Sequence, residues 1–483
     1  MRGAGRGTGR AARTARAKDN AGVVRSGAGG GRAGARVVAL GRAGGRGAAG
    51  GRAVVARLRS TLAAAVVVLL AALAPVAVLA QAGSGGRNRP EHADRPYVVL
   101  LSLDGFRADY LERGRSPNLA RLAARGVRAA GLVPVFPSKT FPNHYAIATG
   151  MYAERHGLVD NAFRDPALGT YSLADRAAVE DGRWYGGEPI WVTAETQGMV
   201  AATFFWVGSE AAVRGVRPTF WRRYDAAVPN EARVDQALEW LRLPAERRPH
   251  LVLLYMSDVD DAGHAYGPDS PEVDRAIERV DRAVGRLLDG LAALPIAGRV
   301  HVVVVSDHGM AHTPAERRTD LAPYLPREGV TVRATGPYAA FDFGGDTARL
   351  AATAAALRAA LPHARVFRRD ELPERFRYRA SPRVPELLVL ADESYTLGVG
   401  PERRPHAPGQ HGYDPALPSM HGIFIAAGPG LRQGVTLPAF ENLHVYALVA
   451  HLLGLRPNPE AEARLDVFRP ALRPEPVPAG AAR

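Results

Sequence analysis

Three runs rich in β-branched residues each deliver an acid at their end. YVVLLSL (97–103) leads into Asp104-Gly105. HLVLLYM (250–256) leads into SDVDDAGHAYGPDS, with Asp260 and His264 four residues apart. VHVVVVS (300–306) leads into Asp307-His308-Gly309-Met310. Much later, PGQHGYD adds His411. Each motif alone is weak, because Asp-Gly is a common turn and Asp-His is often only a local hydrogen bond. Together they place carboxylates at one edge, where uncompensated charges repel. A divalent cation resolves that repulsion, and mixed Asp/His ligation suits zinc. Three Asp and three His suffice for two ions.

Between the first two acids lies PSKTFPNHYAIATG (137–150). Thr140 stands just before Phe141-Pro142, and proline restricts the residue before it and resists helix continuation. The stretch therefore reads as a stiff corner leading into a helix, opening near YAIATG. Two close metals with one held hydroxyl point to phosphoryl transfer. A threonine without an adjacent base needs a metal to activate it, and Thr140 is the candidate nucleophile.

These residues need a scaffold that gathers strand ends. The runs 97–103, 199–205, 250–256, 300–306 and 422–427 read as strands buried on both faces. Helical patterns alternate with them. In 270–294, Ser270 is a plausible N-cap, Pro271 opens the helix, and Ile277, Val280, Val284, Leu287 and Leu288 recur at helical spacing. Segments 229–241, 346–361 and 441–454 behave similarly. This alternation predicts an α/β sandwich with a mostly parallel central sheet and helices on both faces. Sites in such sheets collect at the carboxyl edge. Residues 311–415, with VTVRA, YAAFDF and ELLVLA, read as a small cap or insertion. No internal repeat or clean linker divides the body, which we place at 90–468.

The pI near 10.3 suggests a nucleic-acid binder, but the charge is local. Residues 1–60 carry a net +13 of the total +14. The Gly/Arg/Ala-rich tail (1–56) has no apolar periodicity and reads as disordered. It is either a nucleic-acid-binding arm or an extension from a start codon placed too far upstream. The secretory-type segment after it favours the second. There, Arg57 and Arg59 precede the apolar run 61–80, and Ala80 and Ala82 offer cleavage sites. Residues 57–82 thus act as a signal peptide or an N-terminal anchor, and the body is exported, periplasmic or secreted, or held at the inner membrane. There is no cysteine, which excludes disulfides and thiolate chemistry. The Pro/Ala-rich end (469–483) is expected to fray.

LSLDGFRADYL, PSKTFPNHYAIATGMYAERHGLVDN, DVDDAGHAYGP, VVSDHGM, PGQHGYD and SMHGIFIAAGPG, in this order, resemble the ectonucleotide pyrophosphatase/phosphodiesterase family of the alkaline phosphatase superfamily. The resemblance covers roughly residues 95–455 and looks like a stand-alone bacterial catalytic domain. It implies an alkaline-phosphatase-like fold and two zinc ions. Asp104, Thr140, Asp307 and His308 would surround one; Asp260, His264 and His411 would hold the other. Thr140 would form a phosphothreonine intermediate. Asn161 would donate a hydrogen bond to a non-bridging phosphate oxygen, helped by the backbone N–H of the nucleophile loop. Phe141 and Tyr224, with Leu173 nearby, would form a slot for a nucleotide base. His144 and His156 would brace the loop.

The implied activity is hydrolysis of nucleotide phosphodiester and phosphoanhydride bonds to nucleoside monophosphates. No specific nucleic-acid partner is expected, and a membrane is one only if the N-terminal segment stays uncleaved. Two alternatives use the same fold. A phosphomonoesterase needs an extra cation over the phosphate, for which Arg164 is a candidate. A choline-phospholipid phosphodiesterase needs a pocket of aromatics and acids. Binding nucleic acid through the Arg-rich tail is the non-enzymatic reading.

Overall fold

The computed structural model describes residues 84–402 and 405–474. The tail 1–56, the segment 57–82 and the last residues of the Pro/Ala-rich end lie outside them. Eight strands form the main sheet: β1 (Tyr97–Leu103), β2 (Val127–Ala129), β3 (Ala201–Phe204), β4 (Phe220–Arg222), β5 (Leu251–Met256), β6 (Val300–Val305), β7 (Phe424–Ala427) and β8 (Val435–Leu437). Their order is β8-β2-β7-β6-β1-β5-β3-β4. The five strands from β6 to β4 are all parallel. Strand β7 runs antiparallel to both of its neighbours, so the sheet is mixed on that side. Helices α1 (Pro117–Ala124), α2 (Thr140–Thr149), α3 (Asn230–Leu241), α4 (Asp258–Tyr266) and α5 (Pro271–Ala292) lie beside it.

The central strands read as unbroken apolar runs because both faces are covered. Val98 and Leu100 of β1 pack with Ile147 and Ala148 of α2 and with Leu448 and Val449 near the C-terminus. Val99, Leu101 and Leu103 point the other way. They meet Leu119 and Leu122 of α1, Val234 and Leu238 of α3, and the inner face of α5. Successive side chains on a strand alternate faces, so a strand between two helical layers has no polar side. In α5, the Ser270 side chain accepts the Val273 N–H as the cap, and Val273, Ile277, Val280, Val284 and Leu287 are fully buried. Burying one such side chain contributes about 1.5–3 kcal/mol.

The insertion folds as a small antiparallel sheet of four strands, ordered Thr331–Ala334, Tyr338–Asp342, Leu387–Ala391, Ala364–Arg368. Helix Thr347–Ala360 packs on it through Ala354 and Leu357. The chain then returns to the segment after β6, where Gly409–Gln410 pairs antiparallel with Ala311–His312 in a separate two-stranded sheet. That short pairing carries His411 back beside Asp307 and His308.

Both ends of the body differ from the expected 90–468. Ser84 donates through its N–H and its hydroxyl to the buried Glu195, and Asn88 donates to Ala245 and Arg248 carbonyls. At the far end Ala471 is buried, and Arg473 donates its backbone N–H to Gly430. Residues 469–474 are thus tied down by main-chain bonds to the 430–432 loop rather than frayed. No helix among the described residues is long and apolar enough to cross a membrane.

Candidate active site

Asp104 comes directly after β1, and its backbone is locked between neighbours. Its N–H donates to Met256 O at 2.9 Å, and its carbonyl accepts the Asp260 N–H at 3.1 Å. Gly105 has φ +66° with Asp260 against it; a Cβ there would stand 2.8 Å from Asp260 Cα. Only glycine lets helix α4 approach so closely. On α4, Asp260 and His264 are one turn apart and share a face.

The six strand-end side chains form two groups. Asp104, Asp307 and His308 form a buried one; Asp260, His264 and His411 form one open to solvent on one side. Within each group the donor atoms lie within 4.8 Å of one another. All three imidazoles are oriented alike. The Nδ1–H of His308 donates to Gly309 O (2.9 Å), that of His264 to Gly409 O (2.8 Å), and that of His411 to Ser138 O (2.7 Å). A carbonyl can only accept, so each ring when neutral presents a bare Nε2 to the site. At His308 burial opposes a second proton, but Asp307, 3.0 Å from its Nε2, outweighs burial and raises its pKa above the usual histidine value. Main-chain carbonyls behind a histidine are the usual backing of a metal ligand.

Three buried carboxylate oxygens face this space without a hydrogen-bond partner: Asp104 Oδ1, Asp260 Oδ1 and Asp307 Oδ2. Burial and the charges of Asp307 and Asp260 push the Asp104 carboxyl well above its ordinary value. Burial pushes Asp307 the same way, but His308 and His144 outweigh it and hold Asp307 well below. Burial, with His308, Lys139 and His264 nearby, keeps His411 well below the usual histidine range. Orphaned oxygens beside bare nitrogens are what a divalent cation would satisfy, so the residues present fit metal ions.

Thr140 stands over the buried group, its Oγ1 3.3 Å from His308 Nε2. Helix α2 begins at Thr140 itself, ahead of Pro142 and not near Tyr145 as expected. Proline is tolerated in a first turn because its missing N–H has no intrahelical partner to lose. The hydroxyl therefore sits at the helix N-terminus, where negative charge is favoured. Buried Asn143 stiffens the corner by donating to Pro137 O and Lys139 O and accepting the Val135 N–H. His144 donates from Nδ1 to Thr140 O (3.0 Å), lies 3.3 Å from Asp307 Oδ2, and receives the Ser102 hydroxyl at Nε2. His156 donates to Pro142 O and accepts the Leu158 N–H. Both histidines brace the loop.

Among the backbone N–H groups of the nucleophile loop, that of Phe141 donates to Asn161 Oδ1 at 2.9 Å. The second N–H of a helix lacks an intrahelical acceptor, and this amide supplies one. With Oδ1 turned to that N–H, the Asn161 amide has both of its Nδ2 donors to offer. The Asn161 carbonyl also accepts the Leu173 N–H, which joins Phe141, Asn161 and Leu173 in one cluster. Tyr224 comes from elsewhere. Its N–H donates to Glu210 Oε1, and its ring meets Phe205 and Tyr255. Leu173 and Tyr224 are both exposed.

The family model for type I phosphodiesterase / nucleotide pyrophosphatase matches residues 98–414. The chain belongs to this family. Human ectonucleotide pyrophosphatase/phosphodiesterase family member 1 is 36% identical over 386 residues, 77% of this chain and 41% of that protein. An uncharacterized pyrophosphatase/phosphodiesterase of Schizosaccharomyces pombe is 37% identical over 78% of this chain and 80% of its own length. Murine ectonucleotide pyrophosphatase/phosphodiesterase 5, in an inactive threonine-to-alanine form with AMP, matches with TM-score 0.74 and 32% identity over 79% of this chain and all of that one. The chain thus spans less than half the length of the human and mouse family member 1 proteins it matches. The likeness to solved phosphodiesterase structures agrees with the expected α/β sandwich.

Several residues of this phosphodiesterase-family site lie away from the strand ends and escape a reading confined to them. Tyr255 lies inside β5, and its hydroxyl donates to Asp104 Oδ2 at 2.6 Å. A phenol in an otherwise aliphatic run is the signal that could have found it. Asp160, beside Asn161, accepts the Tyr338 hydroxyl and draws on Lys139. Lys139 is itself held below its ordinary range by burial, against the pull of Asp160 and Asp260. Arg164 lines a cleft with Arg333 and Asp342, among whose lining residues none of the candidate ligands appears.

Proposed function

We propose that this chain hydrolyses phosphodiester and phosphoanhydride bonds of nucleotides with two zinc ions and a threonine nucleophile. The observation that carries the reading is the set of three imidazoles whose Nδ1 atoms are all tied to main-chain carbonyls while buried, unpartnered carboxylate oxygens face their bare Nε2 atoms. Asp104, Asp307 and His308, with Thr140, would hold one ion; Asp260, His264 and His411 would hold the other. When bound, the ions favour ionisation of a hydroxyl and offset charge developing around phosphorus.

The chain's own residues account for the rest. The Thr140 oxygen forms a bond to phosphorus as the bond to the leaving group breaks, giving a phosphothreonine and a free alcohol or phosphate. Water then cleaves the phosphothreonine, releasing the monoester and restoring the hydroxyl. Asn161 Nδ2 donates to a non-bridging oxygen. Phe141, Leu173 and Tyr224 hold the nucleoside, a reading supported by the AMP complex of the murine relative. Stacking of this kind contributes about 1–3 kcal/mol and tolerates different bases.

Rates on bis-p-nitrophenyl phosphate and p-nitrophenyl phosphate test the reading. Faster turnover of the diester is expected; faster turnover of the monoester would refute it. Residues 57–82 are proposed to direct export, to the periplasm or beyond, as a cleaved signal or an inner-membrane anchor. A mature protein beginning near Gln81 would establish cleavage.

A further inference from the structure

Tyr255 is the next-to-last residue of β5, paired with Ser102 of β1 one step before Leu103 leads into Asp104. Its strand is packed on both faces, and Tyr255 is its one partly exposed residue; an internal partner satisfies the hydroxyl on the buried side. It donates to Asp104 Oδ2 at 2.6 Å. This is the one side-chain donor to that carboxylate among the described residues, and it leaves Oδ1 unpartnered, 3.5 Å from His308 Nε2. The ring itself is held by its neighbours. It packs edge-on to His144, with centroids 5.2 Å apart, and to Tyr224 at 6.3 Å. Buried Arg233 donates to the Tyr255 carbonyl at 2.8 Å and to Val228 O at 3.0 Å. The same guanidinium lies 5.0 Å from the Phe205 ring, whose backbone is held at φ +72° beside Tyr224.

We infer that Tyr255 is a positioning residue: its hydroxyl fixes the rotation of the Asp104 carboxylate so that Oδ1 faces a cation shared with Asp307 and His308. The inference rests on the two-metal reading above. A carboxylate with one oxygen bound by a rigid phenol has one oxygen left to offer, at a set angle. Loss of such an outer hydrogen bond typically costs about 10–100-fold in metal affinity or activity. Tyr255 would therefore act through Asp104 rather than by touching substrate.

The test compares zinc retention, read by elemental analysis against graded chelator, in the full chain and in Tyr255→Phe, Tyr224→Ala and Asp104→Asn. The unmodified chain should keep two zinc ions. Tyr255→Phe should release one of them at roughly tenfold lower chelator, as Asp104→Asn does more severely, while Tyr224→Ala keeps both. In kinetics, Tyr255→Phe should lower kcat with KM for nucleotide unchanged. Melting of the metal-free Tyr255→Phe chain close to that of the unmodified metal-free chain would separate positioning from general loss of fold. An unmodified chain that retains two zinc ions beside an equally retentive Tyr255→Phe overturns this inference alone. A raised KM with full zinc retention does the same, by moving Tyr255 into the base slot. An unmodified chain that retains no zinc overturns the two-metal reading and this inference with it.

Discussion

The Nε2 atoms of His264 and His411 face each other 3.0 Å apart. Each ring has already committed its Nδ1–H to a carbonyl, so two lone pairs meet unless something positive lies between them. A proton can serve at low pH, and a metal at neutral pH. We expect chelation to lower the melting temperature and zinc to restore it, because a ligand bound only by the folded state at about 100 times its Kd adds about 2.7 kcal/mol. His264→Ala should lose close to one zinc per chain in elemental analysis. Melting that ignores chelator would sink the reading.

Thr140→Ala should reduce diesterase turnover by at least about a thousandfold, on the scale expected when a covalent path is lost, while zinc content stays near that of the unmodified chain. Thr140→Ser, which keeps the oxygen, should recover part of the rate. Full activity in the alanine variant would remove Thr140 from the mechanism.

Tyr224 should matter for binding more than for chemistry. Replacing it with alanine removes about 1–3 kcal/mol of stacking, so KM for a nucleotide should rise by roughly 5- to 150-fold. Turnover of bis-p-nitrophenyl phosphate should hardly change. A fall in kcat on both substrates would place Tyr224 elsewhere in the reaction.

Gly105→Ala should be costly for its size. The new methyl would meet Asp260 backbone at 2.8 Å from a backbone already at φ +66°, and left-handed geometry alone disfavours a side chain by about 1–2 kcal/mol. A reduced melting temperature together with weakened zinc retention is expected. An unchanged melting curve would show that α4 can retreat freely.

Two buried histidines away from the metal groups set an acid limit. Burial pulls both His250 and His301 down to about 4. An unfolded chain takes up these protons near about pH 6.5, so between about 6.5 and 4 the unfolded state binds more protons than the folded one. Stability present above about pH 6.5 is therefore lost as pH falls through that window. The loss in urea midpoint from about pH 7 to about pH 5 should be smaller in His250→Asn than in the unmodified chain. Equal losses would count against this origin of acid sensitivity.

The sequence by itself determined the layered fold, because a parallel strand covered on both faces must be apolar throughout. That is why Tyr97–Leu103 is legible to the residue. It also determined the six candidate ligands, since acids directly after such strands have nowhere to go but one edge. Helix α5 was legible for the same local reason, with its cap, proline and apolar stripe all within one segment. Strand-end pattern alone does not say how those six side chains divide; the family resemblance implied a division, and its physical reason lies in the tertiary structure. His411 reaches Asp260 and His264 after a long excursion through the insertion, returning 147 residues beyond His264, and spacing along the chain holds no trace of that return. The same is true of Asn161, whose amide is turned by the Phe141 N–H 20 residues away, and of Tyr255, whose hydroxyl meets a carboxylate 151 residues back. Local pattern records which face of an element is buried; which polar atom then finds which partner depends on elements meeting in space.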